Sequence, residues 1–374
     1  MPRPVVKSLR VSFNKGKGSA MGIVTSLAAI IAAIFVLAIL TDNFFIPSLD
    51  EISRRLQLSD EVAGASLMAI GSSAPELAIA LLALFTSGGA HSDVGIGTIV
   101  GSAVFNILVI TGLSAVVAGG LRIHVSAVRR DMLAYLTSIA YLALIFADGQ
   151  VVPLEALAGL ALYGLYLLVL ARWKSPPQAT GSAQPSQSRA RPSAEPARPS
   201  AWQRIEELLA SLLRRVTGDP RQNYLWAFAL SILLIVLLSY LLVESTIIFA
   251  DGIGIPPVIV ALTLLAAGTS APDLISSLEV ARAGRSGMAV ANAVGSNTFD
   301  LLIGLGLPWI IALGLLGEAS IHVGTDDLWV SIGVLVLTTI VLFVFLETQR
   351  RLSRREGWLL LLLYGAFVLY TLLA

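Results

Sequence analysis

The chain has 374 residues, a formal net charge of +1 and no cysteine; 56% of its residues are hydrophobic and 13% are charged. The charged share is about half of the roughly 25% typical of soluble proteins, and a soluble fold could not keep so much apolar surface out of water. These values exclude an ordinary soluble enzyme, a nucleic-acid partner, which needs a basic excess, and disulfide or thiol chemistry, and they predict a protein that spans a membrane several times.

A hydrocarbon core about 30 Å thick needs roughly 20 apolar residues per helix, and ten segments of the chain meet that need. They fall into two groups of five. We therefore predict an N-terminal tail over residues 1–20, a first five-helix half over 21–172, a linker over 173–222 and a second five-helix half over 223–374. The predicted spans are 21–41, 61–87, 94–119, 129–147, 151–172, 223–249, 256–282, 287–316, 327–347 and 356–373.

The linker has two parts of different composition. Residues 175–200 contain six Pro and six Ser and almost no large apolar side chain, so we expect them to be disordered. Between residues 202 and 216, apolar side chains recur at helical spacing with arginines elsewhere, which predicts an amphipathic helix in the membrane interface. A short soluble helix within the linker is the alternative interpretation.

Lys and Arg residues indicate the orientation of the spans, because connections on the cytoplasmic side carry an excess of them. Outside the N-terminal tail, all of them lie in the connections that follow the first, third, fifth, seventh and ninth segments. The linker is therefore predicted to be cytoplasmic and both termini external, in a plasma membrane or, in a bacterium, the inner membrane. The basic residues of the N-terminal tail break this pattern.

Two short sequences in the first half recur in the second half in the same order. The proline motif, Gly-Ser-Ser-Ala-Pro-Glu-Leu at 71–77, recurs at 268–274 as Gly-Thr-Ser-Ala-Pro-Asp-Leu. The glycine–serine motif, Val-Gly-Ser-Ala-Val-Phe-Asn at 100–106, recurs at 294–300 as Val-Gly-Ser-Asn-Thr-Phe-Asp. Because each half holds an odd number of spans, the second half must enter the membrane upside down. The sequence therefore predicts an all-α membrane fold of ten transmembrane helices in two inverted five-helix repeats, an arrangement typical of secondary transporters.

Each proline motif places a carboxylate beside a proline inside a predicted span. Proline lacks a backbone donor and clashes with the preceding turn, so we expect both helices to be broken at the midplane and to expose carbonyl oxygens to a cavity. A carboxylate at the bilayer centre is costly without a partner, and no Lys or Arg stands near these acids in their segments. An unpaired carboxylate there implies a bound cation or a proton, although small and hydroxylated residues in such helices also serve close helix packing.

The candidate cation ligands are all oxygen donors, which suit Ca²⁺, Na⁺ and K⁺ better than the reluctantly dehydrated Mg²⁺. Metals that need thiolate or imidazole ligands have nothing to bind. The predicted ligands are the carboxylates of Glu76, Asp273 and Asp300, the amides of Asn106 and Asn297, the hydroxyls of Ser73, Ser102, Thr269, Ser270 and Ser296, and, through their carbonyls, Ala69 and Ala266.

At these residues the chain resembles the cation/calcium antiporter superfamily, and within it the sodium/calcium exchangers. The alpha repeats of that superfamily have the forms G-[ST]-S-x-P-[ED] and G-S-x-x-x-[ND], and both halves of this chain match both forms. The resemblance is strongest to the potassium-dependent sodium/calcium exchangers, on stretches at 42–49, 59–65, 295–300 and 306–309. It covers nearly the whole chain and implies ten spans with a cytoplasmic central loop.

The resemblance implies a secondary antiporter in which Na⁺ entry drives Ca²⁺ out through a site between the second, third, seventh and eighth spans, while the first and sixth spans move over a fixed core. It implies that Glu76 and Asp273 are the central Ca²⁺ ligands, shared with Na⁺, and that Asp300 is the carboxylate linked to K⁺ coupling. Some prokaryotic exchangers without K⁺ coupling also carry Asp there, so a K⁺-independent exchanger is an alternative. The linker has no acidic cluster, so regulation by cytosolic Ca²⁺-binding domains is not expected.

Two other functions compete with this interpretation. A Ca²⁺/H⁺ antiporter would use the same fold, but its usual Gly-Asn-x-x-Glu core is absent. An intramembrane aspartyl protease would use buried acids such as Asp273 and Asp300, but it needs Gly-x-Gly-Asp and Tyr-Asp elements that the sequence lacks. We therefore expect no enzymatic activity and no cofactor. The expected partners are inorganic cations and membrane lipid, without nucleic acid, and we expect a monomer or a weak homo-oligomer.

Overall fold

A computed structural model gives the structure of most of the chain. It describes residues 20–56, 69–86, 91–122, 125–172, 201–284, 286–323, 328–349 and 351–373. The N-terminal tail up to residue 19 and the proline- and serine-rich residues 175–200 lie outside this set, as does the stretch 59–65 that contributed to the resemblance. What the sequence predicts for those segments stays a prediction.

Helices dominate the described residues, as the apolar composition predicts. Numbered in chain order, they are α1 (Ala20–Leu40), α2 (Ile46–Arg55), α3 (Ala69–Phe85), α4 (Ser92–Phe105), α5 (Thr111–Val117), α6 (Val125–Ile145), α7 (Pro153–Arg172), α8 (Ala201–Thr217), α9 (Tyr224–Ile253), α10 (Pro257–Val260), α11 (Ala266–Thr269), α12 (Ala271–Arg282), α13 (Ser286–Phe299), α14 (Gly306–Leu316), α15 (Leu328–Gln349) and α16 (Arg354–Leu373).

Wider π-helical turns join several of these helices into longer rods. They are Thr41–Phe45 between α1 and α2, Asn106–Ile110 between α4 and α5, Ala261–Leu265 between α10 and α11, and Asp300–Gly304 between α13 and α14. Two of them begin at Asn106 and Asp300, which are the equivalent last residues of the glycine–serine motifs. Because a π turn places one extra residue in the helix and often marks a functional position, these two turns single out the last residue of that motif.

Each predicted span contains a helix, but not every helix is long and apolar enough to cross a bilayer. When helices joined by a π turn are counted as one, six helices of the described part meet that requirement. A seventh does so if the bent pair Pro257–Thr269 and Ala271–Arg282 is one span. The six are Ala20–Arg55, Ser92–Val117, Pro153–Arg172, Tyr224–Ile253, Gly287–Leu316 and Arg354–Leu373. The chain is therefore a multi-pass membrane protein, while the count of ten spans stays a prediction.

The proline motifs have different backbones, and the prediction of two broken helices is wrong for the first of them. In the second half α11 ends at Thr269 and α12 begins at Ala271, with a bend of 45° between them. In the first half Pro75 lies inside α3, which runs without interruption. An internal proline removes one backbone hydrogen bond, and a membrane helix tolerates this loss where neighbouring polar groups satisfy the freed carbonyl.

The linker helix forms where the sequence predicts it. α8 covers Ala201–Thr217 and contains the predicted segment. Four aliphatic side chains on it are exposed, namely Ile205, Leu208, Leu212 and Val216. The indole of Trp226, at the start of α9, donates to the Val216 carbonyl at 3.2 Å and ties the end of α8 to the next helix. The helical part of the linker prediction is confirmed, while its position at a membrane interface stays a prediction.

The buried side chains form two large clusters. One cluster includes residues of α1, α2, α3 and α9, such as Ile30, Leu49, Ile79 and Leu242. The other draws on α4, α6, α7 and the helices from α13 onward, and it contains Val100. α1 packs along α9. The two helices that are expected to move therefore share one cluster, which is separate from the cluster around the glycine–serine motifs.

Two short antiparallel ribbons, which the sequence does not predict, connect the halves. β1 (Leu121–Arg122) pairs with β4 (Arg351–Leu352), and β2 (Gln150–Val151) pairs with β3 (Ile321–His322). β1 follows the third predicted span of its half and β3 follows the third of the other half; β2 and β4 correspond in the same way. Exchanging the halves thus converts one ribbon into the other.

Candidate cation site between the two halves

The motif residues come together where α3, α4, α11, α12 and α13 pack against one another. The carboxylates of Glu76, Asp273 and Asp300 are 2%, 6% and 0% exposed. The other buried candidates are Ser73, Ser102, Asn106, Ala266, Thr269, Ser270, Ser296 and Asn297. Ala69 is the first residue of α3, and its side chain lies outside the described set. The structure therefore gathers predicted ligands from both halves into one buried region.

Two pairs of serines join the halves. The Oγ atoms of Ser73 and Ser296 lie 3.0 Å apart, and those of Ser102 and Ser270 lie 2.7 Å apart. Ser73 and Ser270 hold the same position in the two proline motifs, and Ser102 and Ser296 hold the same position in the two glycine–serine motifs. The same contact is therefore made twice, with the halves exchanged.

The carboxylates of the two proline motifs also have equivalent neighbours in the opposite half. Thr269 lies beside Glu76, and Ser72, which is equivalent to Thr269, lies beside Asp273. Their hydrogen-bond partners differ, however. The Ser296 hydroxyl donates to Oδ2 of Asp273 at 3.2 Å, whereas Oε2 of Glu76 has no hydrogen-bond partner among the described residues. The two acids are equivalent in position but not in how their oxygens are occupied.

Two asparagines connect the glycine–serine motifs. Nδ2 of Asn106 donates to Oδ1 of Asn297 at 2.9 Å, and Nδ2 of Asn297 donates to the backbone carbonyl of Ala103 at 3.0 Å. The Oδ1 atom of Asn106 is buried and has no partner within the described part of the chain. Because hard cations prefer carboxylate and amide oxygens, this atom is available as a ligand.

Asp300 is the acid of the site with the fewest hydrogen bonds. It is fully buried, and neither of its carboxylate oxygens has a hydrogen-bond partner among the residues described. Ser73 lies beside it, and Glu76 and Asp273 are within electrostatic range. Like charges this close repel strongly where water is excluded, so the group of three acids needs a cation or a proton to be stable.

The ion pairs of the described residues leave these acids uncompensated. They join Arg54 and Arg55 to Glu51, Arg129 to Glu347, and Arg130 to Asp131. Within the described ranges, no three His, Asp or Glu side chains converge closely enough to form a compact metal centre. The three motif carboxylates are therefore spread over adjacent oxygen-lined positions, and each position draws on both halves.

Glycines let the helices approach the site closely. A Cβ atom at Gly101 would collide with the carbonyl oxygen of Leu262, so α4 runs directly against the backbone that leads into α11. A Cβ at Gly268 would collide with Ile34, and one at Gly71 would lie 2.9 Å from Ile46. The glycine that opens each proline motif therefore packs against the rod formed by α1 and α2.

The model of the sodium/calcium exchanger protein family matches residues 26–172 and 223–373, which together make up most of the chain and include all four motifs. The chain belongs to the sodium/calcium exchanger family. Members of this family are transporters, so the exchanger is not an enzyme and the aspartyl protease alternative is excluded. The matched ranges stop on either side of the linker, and the division of the chain into two halves stays a prediction.

Curated relatives resemble the exchanger over nearly its full length. Human sodium/potassium/calcium exchanger 5 is 32% identical, in an alignment that covers 92% of this chain and 82% of the relative. Human sodium/potassium/calcium exchanger 4 is 27% identical and the alignment covers 91% and 79%. The sequence resemblance to the sodium/calcium exchangers is thereby confirmed.

Two solved structures share the fold. The H⁺/Ca²⁺ exchanger CAX superimposes with a TM-score of 0.66 at 15% identity, covering 93% of this chain and 81% of that structure. The sodium-calcium exchanger NCX_Mj superimposes with a TM-score of 0.54 at 22% identity, covering 93% and 98%. At these identities the likeness concerns the fold alone.

Three polar residues near the site are missing from the sequence prediction. Asn292 is half-buried beside Asp273 and donates to Ser277 at 3.2 Å. Tyr135 and Thr339 are fully buried, and Tyr135 lies beside both Asn297 and Thr339. Tyr135 and Thr339 lie on α6 and α15, outside both repeated motifs, so repetition gave no signal for them; a polar residue in an apolar span was the only available clue.

Proposed function

We propose that this exchanger is a secondary active antiporter that exchanges Na⁺ for Ca²⁺, with K⁺ transported together with Ca²⁺. One observation carries the proposal: the carboxylates of Glu76, Asp273 and Asp300 are buried within electrostatic range of one another, and none of them has a basic partner among the described residues. Buried charges without partners are unstable, so the natural occupants of this region are the cations themselves.

The donor atoms around these acids favour Ca²⁺ and alkali cations. They are carboxylate, amide and hydroxyl oxygens, and Ca²⁺ takes six to eight oxygen ligands in a flexible geometry. Alkali cations accept the same hard donors, which fits competition between Na⁺ and Ca²⁺ for one region. Glu76 and Asp273 are proposed as the central ligands because each lies beside a hydroxyl of the opposite half.

Charge arithmetic supports a third ion. Three carboxylates carry three negative charges, and one Ca²⁺ supplies two positive ones. The remaining charge is proposed to be balanced by K⁺ at Asp300, whose two oxygens have no partner within the described residues. The relatives that align over most of the chain are named sodium/potassium/calcium exchangers, which supports the same assignment.

Alternating access is proposed to depend on the same charge balance. When the site is empty, three buried charges oppose any state that seals it from water, whereas a neutralising set of cations permits the change. α1 and α9, which pack together and share a hydrophobic cluster, are proposed as the moving elements. The two proline-motif glycines that pack on the α1–α2 rod would transmit occupancy to it.

The proposed topology is ten spans in two inverted repeats, with a cytoplasmic linker and external termini. The exchanged serine contacts and the exchanged ribbons support a pseudo-two-fold relation between the halves. The alternation of basic connections supports the orientation. α8 is proposed to lie at the cytoplasmic membrane surface, with its four exposed aliphatic residues toward lipid.

The direct test is uptake of ⁴⁵Ca²⁺ by Na⁺-loaded proteoliposomes that contain the purified full chain. We expect uptake to require the outward Na⁺ gradient, and external K⁺ to raise it by about tenfold, the effect of about 1.4 kcal/mol. Asp300→Asn removes the charge that K⁺ balances, so we expect this variant to transport without K⁺.

Each alternative predicts a different outcome of that assay. A wild type that is indifferent to K⁺ contradicts K⁺ coupling and leaves a K⁺-independent Na⁺/Ca²⁺ exchanger. Uptake driven by a proton gradient in the absence of Na⁺ contradicts the proposal altogether and supports a Ca²⁺/H⁺ antiporter, a function that the fold shared with CAX makes the second candidate.

A further inference from the structure

Tyr135 is a buried polar residue that belongs to none of the repeated motifs. It lies on α6 and is 0% exposed, and its hydroxyl has no hydrogen-bond partner of normal geometry among the described residues. A buried hydroxyl without a partner is unfavourable, and in a native protein it calls for an explanation such as an ion.

The surroundings of this hydroxyl are polar but already committed to other contacts. Asn297 and Thr339 lie beside it, and α6 packs against α13 and against the π turn that begins at Asp300. The Thr339 hydroxyl donates to the Leu335 carbonyl at 2.6 Å, and the Asn297 amide is held between Asn106 and Ala103. Neither neighbour forms a hydrogen bond of normal geometry with the tyrosine oxygen.

Apart from Oε2 of Glu76, which belongs to the proposed Ca²⁺ region, three other oxygen atoms at Asn106 and Asp300 have no partner in the described part of the chain. They are both carboxylate oxygens of Asp300 and Oδ1 of Asn106. Asn106 and Asp300 begin the two π turns that end the glycine–serine motifs, and Asn297, which contacts both Asn106 and Tyr135, lies between them and α6. Four available oxygens thus come from three separate helical rods, with a single negative charge among them.

We propose that the Tyr135 hydroxyl is an oxygen ligand of a monovalent alkali cation held at Asp300, and that Asn297 and Thr339 hold it in place. This inference rests on the proposed function, because it requires that a cation occupies the Asp300 position. One carboxylate surrounded by neutral oxygens balances one positive charge, which suits K⁺ or Na⁺. Ca²⁺ is better matched by the Glu76 and Asp273 region, where two carboxylates lie.

Loss of a K⁺ ligand should change the half-maximal K⁺ concentration without changing the half-maximal Ca²⁺ concentration, whereas loss of a merely structural residue should change both. Tyr135→Phe keeps the ring and removes only the oxygen. We expect it to raise the K⁺ concentration for half-maximal ⁴⁵Ca²⁺ uptake by about threefold to tenfold. This is the effect of losing one ligand whose contribution is similar to that of a hydrogen bond. We expect the Ca²⁺ concentration for half-maximal uptake to change less than about twofold.

Tyr141→Phe is the matched control. Tyr141 is on the same helix and is also buried, but its hydroxyl donates to the Glu155 backbone carbonyl at 2.8 Å. We expect this variant to leave both half-maximal concentrations unchanged. Equal shifts of the K⁺ and Ca²⁺ values in Tyr135→Phe, or no shift in either, would overturn the role of Tyr135.

The assay also distinguishes failure of this inference from failure of K⁺ coupling. If the wild type does not respond to K⁺, K⁺ coupling is wrong, and the cation at Asp300 is then Na⁺. In that case Tyr135→Phe should raise the half-maximal internal Na⁺ concentration by the same factor while Tyr141→Phe does not. An unchanged Na⁺ value would then overturn the role of Tyr135 as well.

Discussion

The two proline motifs have almost the same sequence but different backbones. In the first half α3 runs through Pro75 without a break, and Glu76 follows inside the helix. In the second half the chain bends by 45° between α11 and α12, and Pro272 stands in the first turn of the new helix, one residue before Asp273. A repeated motif therefore fixes which side chains meet, but the path of the backbone around them can differ.

The difference also extends to charge. The glycine–serine motif of the first half ends in Asn106 and that of the second half in Asp300, and both residues begin a π turn. The serine contacts between the halves are nevertheless equivalent. Matched contacts thus hold the site together, while the unmatched residues give the second half one more carboxylate than the first.

The largest effect is expected where the halves are most alike. Glu76→Gln and Asp273→Asn keep the shape of each side chain but remove one charge from a buried cation site, so each should lower Ca²⁺ uptake by at least about tenfold. The measurement is ⁴⁵Ca²⁺ uptake in Na⁺-loaded proteoliposomes at equal protein content. Near-wild-type exchange in both variants would show that these acids are not the central ligands.

An intermediate effect should separate the two backbones. Pro75→Ala restores a hydrogen bond to the Gly71 carbonyl inside α3, so it should stabilise the protein by about 1–3 kcal/mol and slow transport by removing a free carbonyl near Glu76. Pro272→Ala is the control: a proline in the first turn of a helix removes no intrahelical bond, so its effect should stay within about 0.5 kcal/mol.

Thermal unfolding of the purified protein in detergent measures both proline variants. The difference between the backbones predicts unequal shifts of the midpoint, upward for Pro75→Ala and close to zero for Pro272→Ala. Equal shifts would mean that the two motifs have the same backbone in the folded protein, contrary to the continuous α3 and the bent α11–α12 pair.

The smallest perturbation tests whether the halves are inverted. The chain has no cysteine, so single cysteines can be introduced without a background. Ala118→Cys before β1 and Ala319→Cys before β3 lie at corresponding places in the two halves. We expect membrane-impermeant maleimide to label the first only from the cytoplasmic side and the second only from outside, with transport unchanged. Labelling of both from one side would contradict the inverted repeat.

Repetition within the sequence identified side chains that the fold brings together. It identified Ser73, Ser102, Ser270 and Ser296, and these four residues meet in two equivalent pairs. Hydropathy located a helix in every predicted span, because long apolar stretches in a membrane have helix as their main backbone solution. Both features can be read from the residue order without knowledge of the packing, which explains why the serine contacts and the helices agree with the sequence, while the role of the site residues stays a prediction.

Other features depended on contacts that sequence order does not reveal. Proline was expected to break both motif helices, but whether a helix bends at a proline depends on the groups that satisfy the freed carbonyl, and those come from elsewhere in the fold. The short ribbons join residues about 170 to 230 positions apart and carry no periodic signal of their own.

The sequence by itself determined that the chain is a multi-pass membrane protein with two related halves, and it supplied a set of candidate oxygen ligands, because composition, hydropathy and repetition can be read from the residue order. Only the tertiary structure decided that the three carboxylates lie within electrostatic range in one buried region without basic partners among the described residues. It also decided that Tyr135, from outside the motifs, lies beside Thr339 and within electrostatic range of Asp300. The physical reason is that burial and electrostatic neighbourhood are set by how distant helices pack, and a chain alone does not display that packing.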